Sequence, residues 1–140
     1  MTILTTPNSM SHVLATPPAP PHAAQAYFLG KLQFETDPAD VYTDMQHGET
    51  GFIVVDTRSP AAFVAGHIPG AISLPHSTMS VETTAALPKD TLMVTYCWGP
   101  GCNAATKGAA KLAALGFTVK EMIGGIHAWK DEGYAVEESR

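Results

Sequence analysis

An α/β layer fold on a largely parallel sheet is the architecture this sequence predicts. Three observations carry that reading. Short runs such as Phe52-Ile53-Val54-Val55-Asp56 and Leu92-Met93-Val94-Thr95-Tyr96 are apolar on both faces, as strands covered by helices on two sides must be. Segments bearing helix-start and helix-stop residues lie between such runs. The alternation of strand and helix then repeats along the chain, which is the pattern of βα units rather than of hairpins.

Taken in order, residues 1–21 hold five of the eleven prolines, with Ser, Thr and Asn between them. Such a stretch propagates neither helix nor sheet ladder and is expected to be a flexible tail. Residues 22–31, with Ala23-Ala24-Gln25-Ala26-Tyr27-Phe28-Leu29 at their centre, contain good helix formers and predict an accessory helix laid on the domain. The main domain is assigned to residues 32–140. It opens on Leu32-Gln33-Phe34-Glu35, which alternates and predicts a short strand. Thr36 or Asp37 then caps a helix with Pro38 at its first position, where the missing N–H costs nothing. That helix runs through Val41, Tyr42 and Met45 and ends near Gly48. Ala71-Ile72-Ser73-Leu74 and residues 119–123 complete the strands, and residues 104–115 form a helix stopped by Gly116. No internal repeat is visible.

Composition narrows the function classes. The chain has 140 residues, 45% of them hydrophobic and 15% charged, which suits one globular domain without disulfide or metal staples. A formal net charge of −5 with no basic cluster argues against nucleic-acid binding. Residues 1–19 show no basic segment followed by an apolar core, so no signal peptide is expected. No apolar run approaches the length needed to cross a bilayer, so no membrane partner is expected either. Two cysteines are too few for a secreted disulfide framework, and cytoplasmic localisation is the expectation.

Chemistry in an open α/β sheet belongs at the carboxyl ends of the strands. The strand from Leu92 ends at Cys97, and a helix starts a few residues later. Between them lies the loop Cys97-Trp98-Gly99-Pro100-Gly101-Cys102-Asn103. Its glycines allow a turn tight enough for several N–H groups to face one place. The following helix adds unpaired N–H groups and the positive end of its dipole. An environment of that kind favours a thiolate, which makes Cys97 the candidate nucleophile.

Three further stretches carry a resemblance. Asp56-Thr57-Arg58-Ser59-Pro60, then Phe63, then Gly66-His67-Ile68-Pro69-Gly70-Ala71 closely resembles the N-terminal signature of rhodanese domains. Gly124-Gly125-Ile126-His127-Ala128-Trp129, followed by Gly133, resembles their C-terminal signature, and Tyr96-Cys97 stands where the family keeps its catalytic cysteine. The resemblance spans about residues 32 to 136. It implies a three-layer fold with a central five-stranded parallel sheet flanked by helices. It also implies a sulfurtransferase that moves a sulfane sulfur from a donor to a thiol or cyanide acceptor through a persulfide on Cys97, with no cofactor. The expected partners are a small-molecule or protein persulfide donor and a thiol acceptor.

The loop departs from the family in charge. Many thiosulfate-using members carry a basic residue within it, and related phosphatases require an arginine at its end. Here Cys102 and Asn103 stand in those places, and the nearest cation in sequence is Lys107. Phosphatase chemistry therefore lacks its guanidinium, and a neutral or protein-borne sulfur donor fits better than free thiosulfate. Cys102 reads either as a resolving thiol or as a small apolar side chain, the second slightly favoured. Asp56, Arg58 and His67 read as supports: the first two as a pair pinning loops, the third as the anchor of a turn. Trp98 reads as the wall of an apolar pocket or as a partner contact, and Trp129 as core. A zinc site from Cys97, Cys102, His67 and His76 has suitable ligand types, but its spacing matches no trusted pattern. Two alternatives to sulfur transfer remain: a thiol redox switch using Cys97 and Cys102, and a non-catalytic binding module. A homodimer contact through the helix around Tyr27 and a monomer are both compatible with the sequence.

Overall fold

The computed structural model describes residues 10–49 and 51–139; the first nine residues of the predicted tail lie outside the described residues. Residues 10–16 are mostly turns and bends, residues 17–20 are irregular, and α1 (Pro21–Phe34) follows, with Pro20 O accepting from the N–H groups of Ala23 and Ala24. No side chain of α1 is buried. The predicted strand at Leu32-Gln33-Phe34-Glu35 is corrected here, because the first three residues complete the last turn of α1. Strand structure begins only where a neighbour offers hydrogen bonds: β1 is Glu35–Thr36, paired in parallel with residues 121 and 122. A four-residue alternation is too short to distinguish a strand from a helix end.

The remaining elements are α2 (Pro38–Gln46), β2 (Phe52–Asp56), α3 (Pro60–Ala65), β3 (Ile72–Ser73), β4 (Leu92–Tyr96), α4 (Ala104–Ala114), β5 (Val119–Met122) and α5 (Gly125–Asp131). The sheet has five strands in the order β1-β5-β4-β2-β3, and every pairing is parallel. Local chemistry sets the helix starts. Asp37 accepts from Asp40 N at 2.9 Å ahead of Pro38, and Ser59 accepts from Ala62 N at 3.2 Å ahead of Pro60. Gly116 adopts φ 95° just past α4, as a helix-stopping glycine does.

Successive strand residues point to opposite faces, and the core divides accordingly. Val54, Val94, Tyr96 and Met122 pack with Val41, Ile68, Ile126 and Trp129 on the face covered by α2 and α5. Val55 and Met93 pack with Leu74, Leu112 and Phe117 on the face covered by α4. A sheet buried on both faces explains why β2 and β4 read as continuous apolar runs rather than as alternations. No helix among the described residues is long and apolar enough to cross a membrane.

Trp129 anchors the first face. It is 1% exposed, gives its indole N–H to Ala135 O at 2.9 Å, and meets Tyr42 and Tyr134 edge-on at 5.8 and 5.0 Å between ring centroids. Trp129→Ala is expected to lower unfolding free energy by about 3–5 kcal/mol, checked by denaturant titration with an unchanged m-value.

Candidate active site

The ends of the two central strands meet in a buried polar cluster. The sheet register sets Asp56 of β2 beside Tyr96 of β4. The Tyr96 hydroxyl donates to Asp56 Oδ2 at 2.6 Å and accepts from Ile68 N at 3.1 Å. Arg58 donates to the same carboxylate through Nε and Nη2, at 3.0 and 2.7 Å, and Nη2 also donates to Gly66 O at 2.7 Å. The backbone N–H of Arg58 completes the set at 2.9 Å from Oδ1. Burial works against the charge on Arg58, but the hydrogen bond and Coulombic attraction to Asp56 outweigh it and hold its pKa above the usual value. Burial and the bond to Asp56 likewise hold the Tyr96 phenol far above its ordinary range. Asp56 and Arg58 thus face each other and the loops around them.

Cys97 follows Tyr96 directly and is 3% exposed. Its carbonyl accepts from Ile126 N, and that of Trp98 from His127 N, both at 2.9 Å. The first turn of α5 therefore grips the loop. Gly125 makes this possible: it has φ 61°, and a Cβ there would lie 2.5 Å from Cys97 O and 2.6 Å from Trp98 C. No other residue fits at that position without moving the loop.

Within the loop, Cys102 N donates to Gly99 O at 3.0 Å, while the N–H groups of Trp98, Gly99, Gly101 and Asn103 have no acceptor among the described residues. Asn103 begins α4 without a side-chain cap, which leaves the first helical N–H groups open as well. One expectation is corrected here. Neither Gly99 nor Gly101 adopts a positive φ, so the turn does not use glycine's left-handed freedom. Gly99 is needed for room instead, since a Cβ there would stand 3.0 Å from the His127 ring.

The two cysteines form a disulfide across this loop, with their Cα atoms 6.4 Å apart. The slight preference for Cys102 as a mere apolar filler is overturned by that bond. The bridge stands between two clefts, and both its cysteines line each one. The larger, about 590 Å³, is bounded by Pro38, Pro100, Met122 and Ile123 together with the carboxylate residues Asp37, Glu121 and Glu132. The other, about 450 Å³, runs past Thr57, Arg58, His76 and Trp98.

Trp98 is 42% exposed; the Arg58 guanidinium lies 4.3 Å from its ring centre and His127 5.7 Å away on a tilted ring. His67 lines neither cleft. Its Nδ1 lies 2.8 Å from Phe63 O, its ring stacks on Phe63 at 3.7 Å, and its backbone bridges to Glu137. His67 and the bonded cysteines are therefore not assembled as one ligand set with His76. His76 had been singled out only for zinc, yet it borders the second cleft with a buried Nδ1 that has no hydrogen-bond partner. Burial first, then Lys111 and Lys107, lower its pKa. His127 and the three cleft carboxylates were missed as site residues. His127 lies inside the Gly124–Trp129 motif, which was the available signal; the carboxylates stand on three separate elements and carry no local pattern.

A family model for the rhodanese-like domain matches residues 37–132. The chain belongs to the rhodanese-like domain family. Among curated relatives, the thiosulfate sulfurtransferase GlpE of Pseudomonas putida is 36% identical over 100 residues, covering 70% of this chain and 86% of that enzyme. The HTH-type transcriptional regulator Rv0324 of Mycobacterium tuberculosis is 31% identical over 115 residues; the match takes in 82% of this chain but only half of the regulator. Among solved structures, the BH2092 protein of Bacillus halodurans superposes with a TM-score of 0.83 at 49% identity, covering 85% of this chain and 87% of that one. The rhodanese-like domain of the Anabaena protein Alr3790 does so with a TM-score of 0.67 at 27% identity, covering 74% and 78%.

The rhodanese site thus rests on a buried charge pair rather than on the loop alone. Asp56→Asn leaves Arg58 buried beside a neutral amide and is expected to cost about 3–5 kcal/mol of stability. Equilibrium unfolding checks this, and a loss below about 1 kcal/mol would mean the cluster does not hold the strand ends together.

Proposed function

We propose that this rhodanese domain is a sulfurtransferase whose reduced form carries sulfane sulfur on Cys97. The observation that supports it most is the place of Cys97: a buried cysteine at the carboxyl end of a central parallel strand, in a loop with four N–H groups that have no acceptor among the described residues. In the first step the Cys97 thiolate attacks the outer sulfur of a donor, and the donor's remaining group leaves with the electron pair. In the second an acceptor thiolate, or cyanide, attacks the outer sulfur of the persulfide and Cys97 departs as a thiolate. Donors are small-molecule or protein persulfides and acceptors are thiols. The GlpE relatives, named thiosulfate sulfurtransferases, support the reaction class.

Charge argues for a different donor here. Among the described residues the larger cleft presents Asp37, Glu121 and Glu132 and no basic side chain, and position 102 holds a cysteine where many thiosulfate-using members carry a cation. Arg58 does lie near Trp98, but it borders the smaller cleft, and its Nε and Nη2 are committed to Asp56 and Gly66. A dianion entering through the larger cleft past the carboxylates would be repelled, and no guanidinium lines that cleft to compensate it.

The redox-switch reading stands second, and the disulfide is the observation in its favour. Exposing the reduced Cys102→Ser protein, which has no second thiol to discharge a persulfide, to thiosulfate, mercaptopyruvate and glutathione persulfide in turn, and weighing it intact, separates the two. Addition of one sulfur that dithiothreitol removes, and that Cys97→Ser prevents, is expected. No addition from any donor, while a mild oxidant closes the disulfide in the wild-type protein, would hand the site to the switch.

Cys102→Arg is expected to raise thiosulfate turnover at least ~tenfold over Cys102→Ser, the size of one charge-assisted contact to the donor. The ratio of kcat/KM values checks it, with Cys102→Ser as the reference because it lacks the disulfide equally.

A further inference from the structure

We infer that Cys102 is an internal acceptor that discharges the Cys97 persulfide reductively, releasing hydrosulfide and leaving the Cys97–Cys102 disulfide. This rests on the sulfurtransferase reading and adds a second product to it. The step balances without an outside oxidant. The Cys102 thiolate attacks Cys97 Sγ, a bond forms between the two Sγ atoms, and the bond from Cys97 Sγ to the outer sulfur breaks. The outer sulfur leaves with the electron pair as hydrosulfide, so the sulfane sulfur is reduced while the two thiols are oxidised.

The fold already accommodates the product. The disulfide closes within one short loop whose other ties, Cys102 N to Gly99 O and the two carbonyls held by α5, are all made at 2.9–3.0 Å. No loop glycine needs a left-handed backbone to reach it. An attacking thiol in the same loop meets the persulfide at an effective concentration that a diffusing thiol must match, on the order of millimolar or more. Hydrosulfide also has a way out, because both cysteines border both clefts.

Reset is directional for the same structural reason. Cys97 is buried, whereas Cys102 is partly exposed. An incoming dithiol reductant therefore attacks Cys102 Sγ, and Cys97 leaves as a thiolate beside the open N–H groups of the loop. The second thiol of the reductant then frees Cys102 and carries away the oxidising equivalents as its own disulfide. Each cycle consumes one sulfane sulfur and one dithiol and returns Cys97 ready to react. A reaction that supplies persulfides and one that reduces protein disulfides must flank this protein.

The test uses the full chain, reduced and freed of reductant under anaerobic conditions, with one equivalent of glutathione persulfide. Hydrosulfide is measured over time, and samples are alkylated and weighed intact. Wild type should release one hydrosulfide per chain and end with both cysteines unalkylated. Cys102→Ser should gain one sulfur and hold it, releasing hydrosulfide at least ~tenfold more slowly. Uptake by both proteins with the sulfur retained in wild type would overturn the internal-acceptor step alone. A glutathione adduct on Cys102→Ser in place of the added sulfur would overturn the persulfide route. Absence of uptake in every protein removes the sulfurtransferase reading beneath it. Uptake by wild type but by neither Cys102→Ser nor Cys102→Ala would make Cys102 the sulfur carrier and sink the assignment.

Discussion

The contact on which the site depends is the 2.6 Å hydrogen bond from Tyr96 to Asp56 across the ends of β4 and β2. A carboxylate with no exposure is costly to bury unless its lone pairs are filled, and here Arg58 and Tyr96 fill them. Filling them fixes more than the charge. The Arg58 fork reaches Gly66, the phenol reaches Ile68, and the backbone after β2 is drawn in as well. Thr57 adds its own two bonds to Tyr96 O, from N at 3.1 Å and Oγ1 at 2.8 Å. Cys97, the next residue along, inherits a rigid base.

From the other side, the loop is held by the N-terminal motif of α5, whose two N–H groups take the carbonyls of Cys97 and Trp98. Those carbonyls are thereby occupied, while the N–H groups of Trp98, Gly99, Gly101 and Asn103 have no acceptor among the described residues. An electrostatic preference for anionic sulfur can then come from the backbone alone, with no side-chain cation. Side chains around the loop set a different preference, through carboxylates in one cleft and, in the other, a histidine of lowered pKa and an arginine whose Nε and Nη2 are held by Asp56 and Gly66.

Much of this was legible in the sequence, and the parts that were not have a common cause. Strands β2 and β4 announced themselves because burial on both faces demands unbroken apolar runs. The helix after Asp37 announced itself because a cap and a first-turn proline act within a few residues. Cys97 was legible because strand, loop and helix follow one another directly. What failed depended on contacts distant in sequence or on torsions. The end of α1 and the start of β1 were decided by β5, more than eighty residues away. The clash that makes Gly125 indispensable involves Cys97 and Trp98, and the carboxylates of the larger cleft meet only through the fold. Gly99 and Gly101 were assigned a torsional role when one serves packing and the other neither.

Gly101 has a consequence of its own. A Cβ placed there meets nothing within 4 Å and needs no left-handed backbone angle. Most positions around a buried nucleophile are held by packing or hydrogen bonding, so a change of residue is filtered first by stability. At Gly101 that filter is absent, and a new functional group would be judged by chemistry alone. The scaffold thus leaves one vacant seat at the rim of its reactive loop, where selectivity can drift from one descendant to the next while the domain beneath stays the same.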